Sequence, residues 1–163
     1  MNKEQNVNYT YNIIKKNIKI FRKEKKITQE KLAELINISS DYMNEIESYR
    51  KEKRFSIRIL CDISLTLNIP IYLFFKDNNS FTSLERSLYM SEDEKRIINH
   101  IRINIKNTRE NKGISINNLS KITNIRKDYL YKIEDLAQNI SLDIYKLYKI
   151  ALALDVKLND LIK

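Results

Sequence analysis

The sequence contains the same pattern twice. When the chain is shifted by 87 positions, residues 12–75 align with residues 99–162 without a gap. The matching positions are mostly apolar and recur at the spacing of one helix face, as Leu32 with Leu119 does. A period of this length is too long for a solenoid repeat and is typical of two copies of a small domain. The chain is therefore predicted to contain two domains of about 65 residues each, near the lower end of what folds unaided.

The spacing of the apolar residues predicts five helices in the first copy. The first helix is expected over residues 11–25. Side chains that can cap a helix N-terminus stand before the next three helices, at Thr28, Ser39 and Ser56. Pro70 suits the first turn of the fifth helix, because the N–H that proline lacks would be unpaired there.

The second copy follows the same plan. Ser91 and Glu94 form a capping-box signature before its first helix, and Gly113 stands after that helix, where a left-handed residue is favoured. Ser115 and Asp143 can cap helices two and four. The predicted fold class is all-α, with two tandem five-helix domains.

The repeat also sets the predicted domain boundaries. Residues 1–10 are interpreted as a polar N-terminal tail, residues 11–76 as the first domain and residues 92–163 as the second. Residues 77–91 are the predicted linker. Three apolar residues at helical spacing within this linker indicate a short amphipathic helix.

The positive charge of the chain is concentrated in the two copies. The formal net charge is +9, to which residues 12–76 contribute +6 and residues 99–163 contribute +5, while residues 77–98 carry −2. A basic domain favours a polyanionic partner, and nucleic acid is the most common one. The alternative is a charged surface that only keeps the protein in solution.

Several function classes are disfavoured by composition. One cysteine excludes an internal disulfide, no apolar run approaches the roughly 20 residues of a membrane span, and the N-terminus lacks the apolar core of a signal peptide. We therefore expect a cytoplasmic protein without a membrane partner. One histidine and one cysteine cannot build a zinc site, and a lone glycine cannot build a glycine-rich phosphate loop. No cofactor and no enzymatic activity are expected.

Helices two and three of each copy form a helix-turn-helix motif, over residues 28–47 and 115–134. The first copy resembles the phage-repressor (Xre-like, Cro/cI-type) helix-turn-helix family over the stretch FRKEKKITQEKLAELINISSDYMNEIE. The residues that carry this resemblance are Arg22, Ile27, Thr28, Gln29, Leu32, Ala33, Ile38, Ser39, Ile46 and Glu47. The second copy keeps most of the pattern but has Ile116 where the first has Gln29.

The resemblance implies a lambda-repressor-like fold in which helix three enters the major groove and the N-terminus of helix two faces a phosphate. It also implies ion pairs that join helix one to helix three, Arg22 with Glu47 and Arg109 with Glu134. The DNA-facing positions that it implies are Thr28, Gln29, Ser39, Ser40, Asp41, Asn44 and Glu45 in the first copy, and Ser115, Lys127, Asp128, Tyr131 and Lys132 in the second.

Basic side chains beside these helices are expected to contact the phosphate backbone, which gives affinity without sequence information. They are Arg50, Lys51 and Lys53 after helix three of the first copy, and Arg126 before helix three of the second.

The function expected from these observations is that of a transcriptional regulator, such as a repressor, that binds double-stranded DNA through both domains. Because the two sets of DNA-facing residues differ, one chain is expected to prefer an asymmetric site, whereas a homodimer would bind a palindrome. In the alternative, only the first domain binds DNA and the second is a dimerisation or protein-docking module, which the loss of the glutamine at Ile116 favours. A third possibility is nucleic-acid binding without sequence preference.

Overall fold

The computed structural model describes residues 3–49, 53–77 and 93–163. Within these residues, the regular structure is helical apart from one isolated β-bridge. The helices of the first copy are α1 (Lys3–Glu24), α2 (Gln29–Leu35), α3 (Ser40–Glu47), α4 (Ile57–Leu67) and a 3-10 helix (Ile71–Phe75). Those of the second copy are α5 (Glu94–Asn111), α6 (Ile116–Thr123), α7 (Lys127–Glu134), α8 (Ile144–Ala153) and α9 (Leu158–Ile162). The predicted all-α fold class is confirmed.

Helix α1 is longer than the sequence analysis predicted. It begins at Lys3 and not at Tyr11, so the prediction that residues 1–10 form a tail is wrong for the part that the structure describes. Val7 and Tyr11 are both buried. The Tyr11 ring packs edge-on against Phe55, with 5.5 Å between the ring centroids. The helix extends because these two side chains add another turn to its apolar stripe.

Most predicted caps are present. The side chains of Thr28, Ser39, Ser56, Ser115 and Asp143 each accept a hydrogen bond from the backbone N–H three residues further on. Each cap satisfies one of the N–H groups that a helix N-terminus leaves without a partner.

Two helix starts differ from the prediction. Helix α5 is capped by Asp93, whose Oδ1 accepts from the N–H of Arg96 at 2.8 Å. Glu94 is the first residue of that helix and not the third, which is the position that a capping box requires. Ser91 and the predicted linker helix lie outside the described residues. Pro70 precedes a 3-10 helix, where an α-helix was expected.

The two copies turn after helix one in the same way but with different residues. Gly113 has a φ of +64° and Lys26 has a φ of +57°. The left-handed conformation costs a residue with a side chain roughly 1–2 kcal/mol, and glycine avoids this cost. The first copy therefore bears a local strain that the second lacks.

The two copies share one continuous hydrophobic core. In the first copy, Phe21 packs edge-on against Phe74 with 5.1 Å between the ring centroids. Helix α4 of the first copy packs on α5 of the second, and the 3-10 helix packs on α9. Each copy therefore buries apolar surface against the other, which adds to the limited core of a domain of this size. Among the described helices, none has both the length and the apolar character of a membrane-spanning segment.

Candidate nucleic-acid interface

The third helix of each copy has one buried face and one exposed face. On α3, Met43 and Ile46 are buried, and Ser40, Asp41 and Asn44 are exposed. On α7, Leu130 and Ile133 are buried. The exposed face of α7 carries Lys127, Asp128, Tyr131 and Lys132. Most of the side chains that the sequence analysis predicted to face DNA therefore lie together on one surface of each helix.

A buried ion pair fixes the end of α3 to α1. Arg22 donates from Nε and Nη2 to the two carboxylate oxygens of Glu47, at 2.6 and 2.8 Å. Its Nη1 donates to the carbonyl oxygen of Ile27 at 2.7 Å, which holds the entry to α2 as well. The hydrogen bond to Glu47 raises the pKa of Arg22. The two charged side chains therefore bind three helices into one unit.

The second copy contains the same ion pair. Arg109 donates from Nε and Nη2 to Glu134 at 2.6 and 2.7 Å, and its Nη1 donates to the carbonyl oxygen of Ile114 at 2.9 Å. The hydrogen bond to Glu134 raises the pKa of Arg109. Both ion pairs that the family resemblance implied are thus present at equivalent positions.

Comparisons with family models match both copies. A model described as helix-turn-helix matches residues 18–74, and one described as a Cro/C1-type helix-turn-helix DNA-binding domain matches residues 104–163. The chain belongs to the Cro/C1-type helix-turn-helix family. It carries two such domains in tandem. Searches of curated proteins and of solved structures each returned no significant match.

Gln29 has a structural partner in the first helix-turn-helix domain. Its Nε2 donates to Glu47 Oε2 at 2.8 Å, so the amide joins the buried ion pair. Gln29 is one of the predicted DNA-facing residues, but its amide nitrogen is directed at Glu47. In the second domain, Ile116 takes the equivalent position and is buried. The substitution removes one polar group from the ion-pair site and leaves the ion pair itself in place.

A second pair of buried cations was not foreseen from the sequence. Lys15 and Arg102 occupy equivalent positions on helix one of each domain, and they are only 2% and 3% exposed. Lys15 Nζ donates to the carbonyl oxygen of Ser48 at 2.9 Å. Arg102 donates to the carbonyl oxygens of Lys132, Ile133 and Asp135, at 2.9 Å and 2.7 Å for the first two.

These cations bind the carbonyl groups at the C-terminal ends of α3 and α7. A helix leaves its last carbonyl groups without partners there, and the helix dipole makes that end negative. Burial lowers the pKa of Arg102, and the guanidinium remains charged because its ordinary pKa is so high. The sequence signal was a basic residue at the same position of both copies, beside the apolar stripe of helix one.

Some of the predicted DNA-facing residues pair with one another. Lys53 Nζ lies 2.7 Å from Glu45 Oε2 and 4.8 Å from the centroid of the Tyr42 ring. The hydrogen bond to Glu45 raises the pKa of Lys53. In the second domain, Arg126 donates to Asp128 at 2.9 and 3.0 Å and lowers the pKa of that carboxyl group. A phosphate that approaches either cation must compete with its carboxylate.

Three of the remaining residues that were predicted to face DNA act as helix caps. The hydroxyl oxygens of Thr28, Ser39 and Ser115 accept backbone N–H groups as caps, at 3.1 Å in each case. Arg50 and Lys51 lie outside the described residues.

Proposed function

We propose that the protein binds double-stranded DNA in a sequence-dependent way, with α3 and α7 as its recognition helices, and that it regulates transcription in the cytoplasm without catalysing a reaction. The observation that carries this proposal is the exposed polar face of α3 on a helix held at its C-terminal end by Arg22, Glu47 and Lys15. To discriminate between base pairs, the side chains must be held in a fixed geometry by the residues that pack around them.

The chemistry of the exposed faces suits the edges of base pairs. An asparagine amide can form two hydrogen bonds with adenine in the major groove, and Asn44 is exposed on α3 for such a contact. Lysine can bind guanine or a phosphate, and Lys127 and Lys132 are exposed on α7. The net charge of +9 supplies the attraction to the phosphate backbone that all DNA sequences share.

A second candidate function concerns the second domain alone. Tyr131 is 57% exposed there, at the position that the polar Asn44 takes in the first domain. Tyrosine is enriched at protein–protein interfaces. This difference favours the alternative in which the second domain is a docking or dimerisation module and only the first binds DNA.

The first test of sequence-dependent binding uses Asn44→Ala. DNA that the whole chain selects from a random duplex pool supplies the specific ligand, and shuffled DNA of the same composition supplies the reference. Loss of a good base contact should weaken binding to the selected DNA by about 1–3 kcal/mol and leave shuffled DNA unchanged. Asn12→Ala, at an exposed position on α1, is the matched control. Equal losses on both DNAs would contradict the base-reading role of Asn44.

The second test separates the two candidates for the second domain. Lys127→Glu with Lys132→Glu places negative charge on the exposed face of α7 without touching the core. The control, Lys19→Glu with Lys106→Glu, makes the same change in net charge at exposed, equivalent positions on helix one of each domain. If α7 contacts DNA, the first variant loses far more affinity than the control and its footprint shortens. Equal affinities and footprints for the two variants would favour the docking module.

A further inference from the structure

The isolated β-bridge joins two positions that are counterparts of each other. It pairs Ser56 with Asp143 in antiparallel orientation, and these residues are 87 positions apart, which is the offset of the repeat. The N–H of Ile57 donates to the carbonyl oxygen of Leu142 at 3.0 Å. An antiparallel pair centred on equivalent residues is itself two-fold symmetric, because the rotation that carries Ser56 onto Asp143 reverses the chain direction.

One further contact between the domains follows the same rotation. The 3-10 helix Ile71–Phe75 and α9 are equivalent elements, and they pack against each other. Across this contact, Lys163 Nζ lies 5.7 Å from the centroid of the Tyr72 ring. A surface that packs on its own counterpart is the signature of an isologous, two-fold interface. In a head-to-tail tandem, each element would instead contact a different element of its neighbour.

The flanks of the interface are less symmetric. On one side, Arg58 of α4 donates from Nε to Glu94 of α5 at 2.7 Å. The equivalent position on the other side is Tyr145 of α8, whose ring lies 4.3 Å from the guanidinium carbon of Arg54. Helix α4 also packs on α5 more extensively than α8, the counterpart of α4, packs on α1. The two-fold relation is therefore closest at the bridge and at the contact between the 3-10 helix and α9, as expected for two copies whose sequences have diverged.

From this symmetry, and on the basis of the proposed DNA binding, we propose that a single chain is the complete binding unit and reads two inverted, unlike half-sites. A two-fold rotation exchanges α3 and α7, so the two recognition helices meet DNA in opposite orientations. In two-fold helix-turn-helix dimers, this arrangement matches half-sites that are inverted and about 34 Å apart. The half-sites must differ in base sequence because the exposed faces of α3 and α7 differ.

The internal contact also removes the need for a second chain. The 3-10 helix and α9 occupy each other's surface within one chain. Two recognition helices linked in this way bind with an avidity that can exceed either contact alone by about 10²–10⁴-fold.

The test begins with DNA selected from a random pool by the full chain. From the selected site, three duplexes are made: the original, one with a single half-site reversed in place, and one with the half-sites moved apart by half a helical turn. Reversal keeps every base pair of both half-sites and changes only their relative orientation. We expect each altered duplex to bind at least about 100-fold more weakly, and we expect one chain per site by native mass spectrometry.

A disulfide between the two domains provides an independent measurement. Directly opposite residues of an antiparallel pair lie close enough for a disulfide, so Ser56→Cys with Asp143→Cys should form one on oxidation. Cys61 is buried, and burial raises the pKa of its thiol, so it should not compete. The oxidised protein should bind the selected site within a factor of about 3 of the reduced protein, or about 0.7 kcal/mol.

The outcomes separate this inference from the proposed function. Enrichment of an inverted pair, one chain per site and binding by the oxidised variant together support it. Enrichment of a direct repeat or a single half-site, two chains per site, or loss of binding on oxidation would overturn it and leave DNA binding in place. A pool in which no sequence is enriched would overturn both.

Discussion

The two ion pairs allow one substitution to be compared at two equivalent positions. Glu47→Ala leaves the Arg22 guanidinium, on a side chain only 9% exposed, without its carboxylate. It also removes the acceptor of the Gln29 amide. Removing one partner of a buried pair costs about 3–5 kcal/mol, because the other charge stays buried and uncompensated. At the second site, Arg109 and Glu134 are 12% and 10% exposed. Glu134→Ala should therefore cost less, about 1.5–3 kcal/mol, the value of a hydrogen bond to a charged group.

Urea denaturation followed by far-ultraviolet circular dichroism measures this difference. The free energy of unfolding of each variant is taken from the midpoint and slope, and an unchanged slope shows that the variants unfold the same surface. For a chain of this size, a loss of 3–5 kcal/mol corresponds to a melting temperature lower by about 6–20 °C. The free energy of unfolding should fall further for Glu47→Ala than for Glu134→Ala.

The control is Glu34→Ala, which removes a carboxylate that is 70% exposed and paired with Lys31 on the surface. Exposed pairs contribute roughly 0–1 kcal/mol, so this variant should unfold nearly as the parent does. If Glu47→Ala lost no more stability than Glu34→Ala, the ion pair would not hold α1 to α3. Replacing the whole site with apolar residues, as Arg22→Met, Gln29→Ile and Glu47→Leu, should recover most of the loss.

Three further predictions concern single positions. Arg102→Met should lower the free energy of unfolding by about 1–3 kcal/mol, because it leaves carbonyl groups at the end of α7 without a donor; amide hydrogen exchange should rise first in α7. Glu45→Gln should release Lys53, so binding to random DNA should strengthen and the slope of log affinity against log salt should steepen by about 0.9; an unchanged slope would show that Lys53 makes no phosphate contact. Lys26→Gly should raise the free energy of unfolding by about 1 kcal/mol by relieving the left-handed residue, whereas a loss in urea denaturation would contradict the strain at that turn.

Local features of the fold could be predicted from the sequence. The caps Thr28, Ser39, Ser115 and Asp143 lie one residue before helices because their side chains satisfy N–H groups three residues away. Such contacts depend on the chain nearby and need no knowledge of the tertiary structure. The apolar spacing fixed the faces of α3 and α7 for the same reason.

Features that depend on distant contacts could not be predicted in this way. Val7 was assigned to the predicted polar tail, because only tertiary packing shows that this end of α1 is buried. Tyr11, one turn further along the helix, packs against Phe55. The burial of Lys15 and Arg102 could not be predicted, because their partners include carbonyl groups 33 and 30 residues away along the chain. The sequence of neither copy alone indicates the two-fold relation between the domains. It appears only where Ser56 meets Asp143.

The covalent link between the two symmetric domains changes how the occupancy of DNA depends on protein concentration. Two separate subunits dissociate on dilution, so the amount of a dimeric regulator on its operator rises roughly with the square of its concentration when subunits are scarce. The two domains here are joined through residues 78–92 and cannot drift apart. If the proposed function holds, occupancy of the selected DNA site should therefore follow a simple hyperbola in protein concentration, with a Hill coefficient of about 1. Under the same proposal, one recognition helix can change by mutation while the other keeps its own half-site.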